Sequence, residues 1–165
     1  MPYKPVLNTY NLPEFMESSL YETDFYAWTV QQSKLLQERC LEQLDFINLI
    51  EEIESLGKQQ RQELRNRLTI LIGHLLKWDY QLEKRSKSWF ITIRNQRREI
   101  YILLKDNSSL QPFIPEALKL SFLAGLDLAV AETSLRDRDL PSESPYTVAE
   151  LLDPTFPPSL TKADF

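Results

Sequence analysis

Apolar residues recur along this chain in steps of three and four. Leu64, Leu68, Leu71, Leu75 and Trp78 advance by 4, 3, 4 and 3, which keeps them on one narrow helical stripe. Trp89, Ile93, Gln96, Ile100 and Leu103 repeat the spacing with an amide at the centre. Phe46, Leu49, Ile50, Ile53 and Leu56 form a third segment behind Asp45, a residue type that caps helix N-termini well. Gly57 interrupts the pattern, either as the C-cap between a helix behind Asp45 and another over 58–81 or as a weak point in one longer helix. Upstream, Phe25, Trp28, Leu35 and Leu36 mark the inner side of a helix from about Thr23 or Asp24 to Cys40. Ser86 or Ser88 offers a cap for the helix that carries Trp89. Pro112 and Pro115 suit the first turn of a helix ending near Leu135. Thr147 and Glu150 have capping-box spacing for a last short helix over 148–152.

No strand-like alternation persists and no long repeat appears. The expected fold is all-α: a single-domain antiparallel bundle of about five main helices plus a short C-terminal helix. The bundle is expected over 21–157, between an extended N-terminal arm at 1–20 and a tail at 158–165. With 165 residues, 42% of them apolar and 11% aromatic, the chain has material for one real core. The single cysteine, Cys40, cannot form an intrachain disulfide. No signal-peptide stretch and no run of about 18 apolar residues is present, so a cytoplasmic protein without a membrane is expected.

The net charge of −5 hides an asymmetry. Lys84, Arg85, Lys87, Arg94, Arg97 and Arg98 form a run with no acidic residue, while the chain as a whole holds 24 acidic side chains. An acidic molecule with one basic stripe is a poor general binder of phosphate backbones, because its bulk charge repels them. It could still bind one acidic partner, or its own acidic tail, through that stripe.

Two polar patterns stand out on the predicted helices. In the first, Gln96 sits near the middle of the Trp89 seam, and a buried amide without partners costs about 1–3 kcal/mol. Arg67, His74 and Gln81 recur at intervals of seven on the preceding helix, and Glu51, Glu52, Glu54 and Arg97 could complete a network with them. Such a network either fixes helix register or forms a site with His74 as acid–base and a glutamate orienting it. The structural role is favoured, because there is one histidine and no nucleophile elbow, phosphate loop or cofactor motif. No metal-ligand spacing is present either, and no cofactor is expected.

The second pattern is the outer face of the 87–105 helix. Lys87, Arg94, Arg98 and Lys105 project within about 40° of one another, with Phe90, Ile91 and Tyr101 beside them. With Arg85 and Trp89, these residues offer a surface for a protein partner or a second copy, since arginine and aromatic residues dominate interface hot spots. Single-stranded nucleic acid is the alternative partner, with arginines tracking phosphates and rings stacking on bases. A plain solvated helix face is the simplest alternative to both.

Several segments together resemble a bacterial family, abundant in cyanobacteria, known as domain of unknown function twenty-nine. They are LYETDFYAW at 20–28, LDFINLIEEIESLG at 44–57, HLLKWDYQ at 74–81, RSKSWFITIRNQRREI at 85–100, and PYTVAELLD with the following FP pair. The resemblance spans about 20–157 and implies an all-helical domain with no established activity. Its motif positions fall here on Glu51, Glu52, Glu54, His74, Trp78, Tyr80, Gln81, Arg85, Ser86, Ser88, Trp89, Thr92, Ile93, Gln96 and Arg97. Leu82 stands where the family pattern has proline, and Asn107-Ser108 where it has Ser-Pro.

Overall fold

The computed structural model describes residues 19–160, and the ordered elements among them are all helical. The expected arm, up to residue 18, and the last five residues of the expected tail lie outside the described residues. The helices are α1 (Leu20–Thr23), α2 (Phe25–Gln37), α3 (Phe46–Tyr80), α4 (Lys87–Asp106), α5 (Ile114–Ala131) and α6 (Val148–Leu152). The chain divides into two compact units, Met1–Glu54 and Ser55–Phe165.

In the first unit the aromatic residues of LYETDFYAW cluster. Trp28 is buried, with Tyr21 edge-on to it at 4.9 Å and Phe25 stacked on it at 5.6 Å. Asp24 caps α2 by accepting the Ala27 amide N–H at 2.9 Å. Asp45 plays the same role at the start of α3, accepting from the Asn48 N–H at 3.3 Å. Its second carboxylate oxygen accepts from the Trp28 indole at 3.1 Å, and its own N–H donates to Gln32. One aspartate thus ties α2 to α3. Helix α2 starts behind Asp24, near the expected place, and ends at Gln37, short of Cys40.

Of the two readings of Gly57, the structure takes the weak point in one longer helix, and no break occurs there. α3 runs through it for 35 residues, and 46–56 and 58–80 are one helix rather than two. Gly57 has no positive φ and nothing within 4 Å of the place a Cβ would occupy. A glycine inside a helix costs about 1 kcal/mol relative to alanine, which the flanking turns of so long a helix can absorb.

The second unit is built on α3 from Ser55 onward, with α4 and α5. Trp78 meets Phe90, while eleven residues earlier Arg67 reaches Gln96 and Glu99, so α3 and α4 run antiparallel. The Ser121 hydroxyl donates to the Arg65 carbonyl and Lys77 reaches Glu132, so α5 runs parallel to α3. Leu71, Ile72, Gly73, Leu75, Leu76, Lys77 and Trp78 are all buried, so this part of α3 is covered on every side. The closest approach of α3 to α5 falls at two glycines. A Cβ on Gly73 would lie 3.1 Å from the Gly125 carbonyl oxygen, and one on Gly125 would lie 2.9 Å from Ile72 Cγ2.

The ends of these helices follow the sequence. Ser86 caps α4 through the Trp89 N–H. Pro115 occupies the first turn of α5, but Pro112 sits in a preceding 3-10 turn and α5 ends at Ala131, short of Leu135. Thr147 and Glu150 form the expected capping box on α6. After α6 the chain packs back on the core: Trp78 donates its indole N–H to the Ser159 hydroxyl, and Leu160 is buried.

Candidate recognition site

Three of the residues predicted to carry recognition, Arg94, Arg98 and Tyr101, converge with Arg97 of the predicted polar network. Arg94, Arg97, Arg98 and Tyr101, together with Leu152 and Pro154, line a cleft of about 310 Å3 between α4 and the end of α6. The four side chains share one stripe because steps of three and four return to the same helix face. Leu152 and Pro154 are brought there by Arg97. This residue is buried, with its Nε donating to the Leu151 carbonyl at 2.8 Å and Nη2 to that of Glu150 at 3.3 Å. Its guanidinium therefore meets the carbonyl end of α6, where a cation is favoured. Burial lowers its pKa to about 10, partly offset by Asp153, so it stays charged at neutral pH.

The other two arginines are exposed. Arg94 lies over the Phe90 ring at 5.5 Å, and Arg98 donates to the Asn95 side-chain amide oxygen Oδ1 at 3.0 Å. Glu99 is 3.9 Å from Arg98. Among the described residues no carboxylate lies within ion-pair distance of Arg94 or Arg97. Lys87, Ile91, Tyr101, Ile102 and Lys105 on the same face are exposed as well.

Two other predicted binding residues point elsewhere. Arg85 donates to the Trp78 carbonyl at 2.8 Å and lies over the Trp78 ring at 4.8 Å, which closes the last turn of α3. Trp89 is half-buried against the core, with the Lys77 ammonium 5.0 Å from its ring.

The polar residues of the seams separate into small groups. Arg67 pairs with Glu63 at 2.7 Å and with Glu99 at 3.7 Å, and makes a long contact of 3.5 Å to Gln96. Gln81 donates to the Ser134 hydroxyl. His74 Nδ1 lies 2.9 Å from the Ile70 carbonyl of its own helix, which selects the tautomer that donates from Nδ1. Burial holds the imidazole pKa below its ordinary value, and the charge of Lys77 adds to this. Of the three glutamates expected to face this histidine from a neighbouring helix, Glu52 accepts from the Tyr21 hydroxyl at 2.6 Å, and that phenol is pushed up to about 12. Glu51 and Glu54 are exposed on the same continuous helix α3.

Sequence reasoning missed two buried contacts. Lys77 is 1% exposed and donates to Glu132 at 2.5 Å, which holds that carboxyl below its usual range. Tyr146 donates to Asp79 at 2.8 Å across the core, and burial raises the Asp79 carboxyl. Lys77 lies about 140° from the Leu64 stripe on a helical projection, so the seam gives no sign that it is buried. No group of His, Cys, Asp and Glu side chains among the described residues is arranged to hold a metal ion. No helix among them is long and apolar enough to cross a membrane.

The fold and the cleft define an all-α helical bundle with a basic, partly apolar groove. The match to a family model then fixes its kinship: residues 20–157 fit the domain of unknown function DUF29, and the chain belongs to that family. No curated protein and no solved structure matches it.

Proposed function

We propose that this protein is a helical interaction module whose contact surface is the basic-aromatic face of α4 and whose partner is an acidic protein segment or a second copy. The observation that carries this reading is the composition of one exposed helix face. Arg94 and Arg98 alternate there with Ile91, Tyr101 and Ile102, all of them exposed. A solvated face has little use for three large apolar side chains among its cations, whereas an interface hot spot has that make-up. The protein's net charge of −5 favours a compact acidic patch on the partner over an extended polyanion.

The test is light scattering on a sizing column, followed by affinity capture with wild type and with an Arg94→Glu/Arg98→Glu variant. Loss of self-association, or of captured proteins, on charge reversal is expected. A monomer that captures the same proteins before and after reversal would overturn the proposal. Nucleic-acid binding gives a different result: a steep loss of affinity for single strands between low and physiological salt.

A further inference from the structure

We infer that the cleft between α4 and α6 is a receptor for a phosphomonoester carried on an apolar body. This rests on the reading of α4 as a contact face and specifies what the centre of that face holds. Three guanidinium groups line one small cavity, and the charges near them are few: Glu99 sits 3.9 Å from Arg98, and Asp153 acts on Arg97 without forming an ion pair. The local balance is positive, on a chain that is acidic as a whole.

The donor geometry is as informative as the charge. Arg97 is fixed by two backbone carbonyls, so its planar group costs little further ordering when a ligand arrives. Phe90 holds Arg94 from below, and Asn95 steadies Arg98. Tyr101 adds a hydroxyl and a ring. Guanidinium forks match the oxygens of phosphate two at a time, and a phosphate near pH 7 carries about −1.5 to −2 charges. A single carboxylate would leave most of the positive charge uncompensated.

The remaining wall is apolar. Leu152 and Pro154 face the cavity, which at about 310 Å3 lies near the lower end of ordinary ligand pockets. An aromatic or aliphatic group attached to the phosphate would cover them, whereas inorganic phosphate would leave them wet. Two sources supply this chemistry: a phosphorylated side chain of the protein partner, or a free small organic phosphate.

Titration calorimetry on the intact chain tests the inference with phenyl phosphate, inorganic phosphate, benzoate and a phosphotyrosyl peptide. Phenyl phosphate should bind at least tenfold more tightly than either benzoate or inorganic phosphate. Arg94→Gln/Arg98→Gln should weaken it at least tenfold while leaving the far-ultraviolet circular dichroism unchanged. Tighter binding of the peptide than of phenyl phosphate assigns the site to a partner's side chain, and equal binding assigns it to a free ligand. Both results support the phosphomonoester site. No binding of phenyl phosphate at millimolar concentration, or equal binding of benzoate, overturns it. The interaction reading is judged separately by the Arg94→Glu/Arg98→Glu capture experiment: partners lost on reversal without phosphate binding would retain the module and remove the receptor.

Discussion

Replacing each of two helical glycines by alanine should move stability in opposite directions. Gly57 and Gly125 both sit inside α-helices with ordinary φ, so each substitution recovers about 1 kcal/mol of helix propensity. Their surroundings differ. A Cβ on Gly57 meets nothing within 4 Å, whereas one on Gly125 lies 2.9 Å from Ile72 Cγ2, 3.1 Å from Ile72 Cβ and 3.2 Å from the Gly73 nitrogen. Those neighbours belong to a helix backbone and a β-branched side chain with one strongly preferred rotamer, so they cannot swing aside. Overpacking of this kind costs about 1–3 kcal/mol. Gly57→Ala should therefore stabilise the protein by up to about 1 kcal/mol. Gly125→Ala should destabilise it by up to about 2 kcal/mol, because propensity returns part of the clash. The gap between the two variants cancels the propensity gain and isolates the clash. Urea denaturation followed by circular dichroism measures it, and the gap corresponds to midpoints several degrees apart in a thermal scan. Equal stability of the two variants would show that α3 and α5 do not approach closely at Gly125.

Two further outcomes concern titration. His74 is the chain's one histidine, and burial keeps its pKa below 6.5, so its imidazole resonance should titrate with a midpoint below that value. A group depressed on folding stabilises above its unfolded pKa and loses that contribution as pH falls through the folded one. His74→Gln should thus flatten the stability profile just below pH 6.5, and a midpoint at or above 6.5 in the proton spectrum would contradict the burial. Glu132 behaves alike in a lower window: the Lys77 hydrogen bond depresses its carboxyl below 4.5, so its contribution is complete above that pH and fades below it. Glu132→Gln should destabilise the protein at neutral pH and show a shallower loss in acid than wild type. Parallel profiles would remove the ion pair from the account.

The parts of this fold that could be read from the sequence were those set by local chemistry. The Ser86 cap, the Thr147–Glu150 capping box and the Asp45 cap each need only a side chain and an amide a few residues apart. The stripe from Leu64 to Trp78 likewise became core because helical spacing puts those residues on one face. Gly57 left two readings open, and the continuous helix won because the cost of one glycine is small beside the cooperativity of a 35-residue helix. Gly73 and Gly125 serve a contact between helices about fifty residues apart in sequence, and nothing local distinguishes them from Gly57. The same limit applied to the polar residues. Periodicity placed Arg94, Arg98 and Tyr101 on one face, but the wall opposite them comes from Leu152 and Pro154, which are positioned by a bond between Arg97 and distant carbonyls.

The arginines of α4 and its approach thus divide by what they bind, and that division can be measured. Arg97 meets the carbonyls at the end of α6 from a buried position, so Arg97→Met removes a charged donor and strands two acceptors. Stranding buried polar groups costs about 1–3 kcal/mol, and α6 should loosen before the rest unfolds. Arg94 and Arg98 meet a ring and an amide at the surface, so reversing either should change stability by less than about 0.5 kcal/mol. If the exposed pair exists for recognition, binding should follow the opposite order. Arg94→Glu/Arg98→Glu should abolish partner or phosphate binding in a protein of near-normal stability. Arg97→Met should lower stability most and impair binding through the displaced wall. Hydrogen exchange on the amides of 148–152, read beside calorimetry, separates the two effects. A single scale on which loss of binding simply tracks loss of stability across all three arginines would make the stripe architectural, with no recognition role left to it.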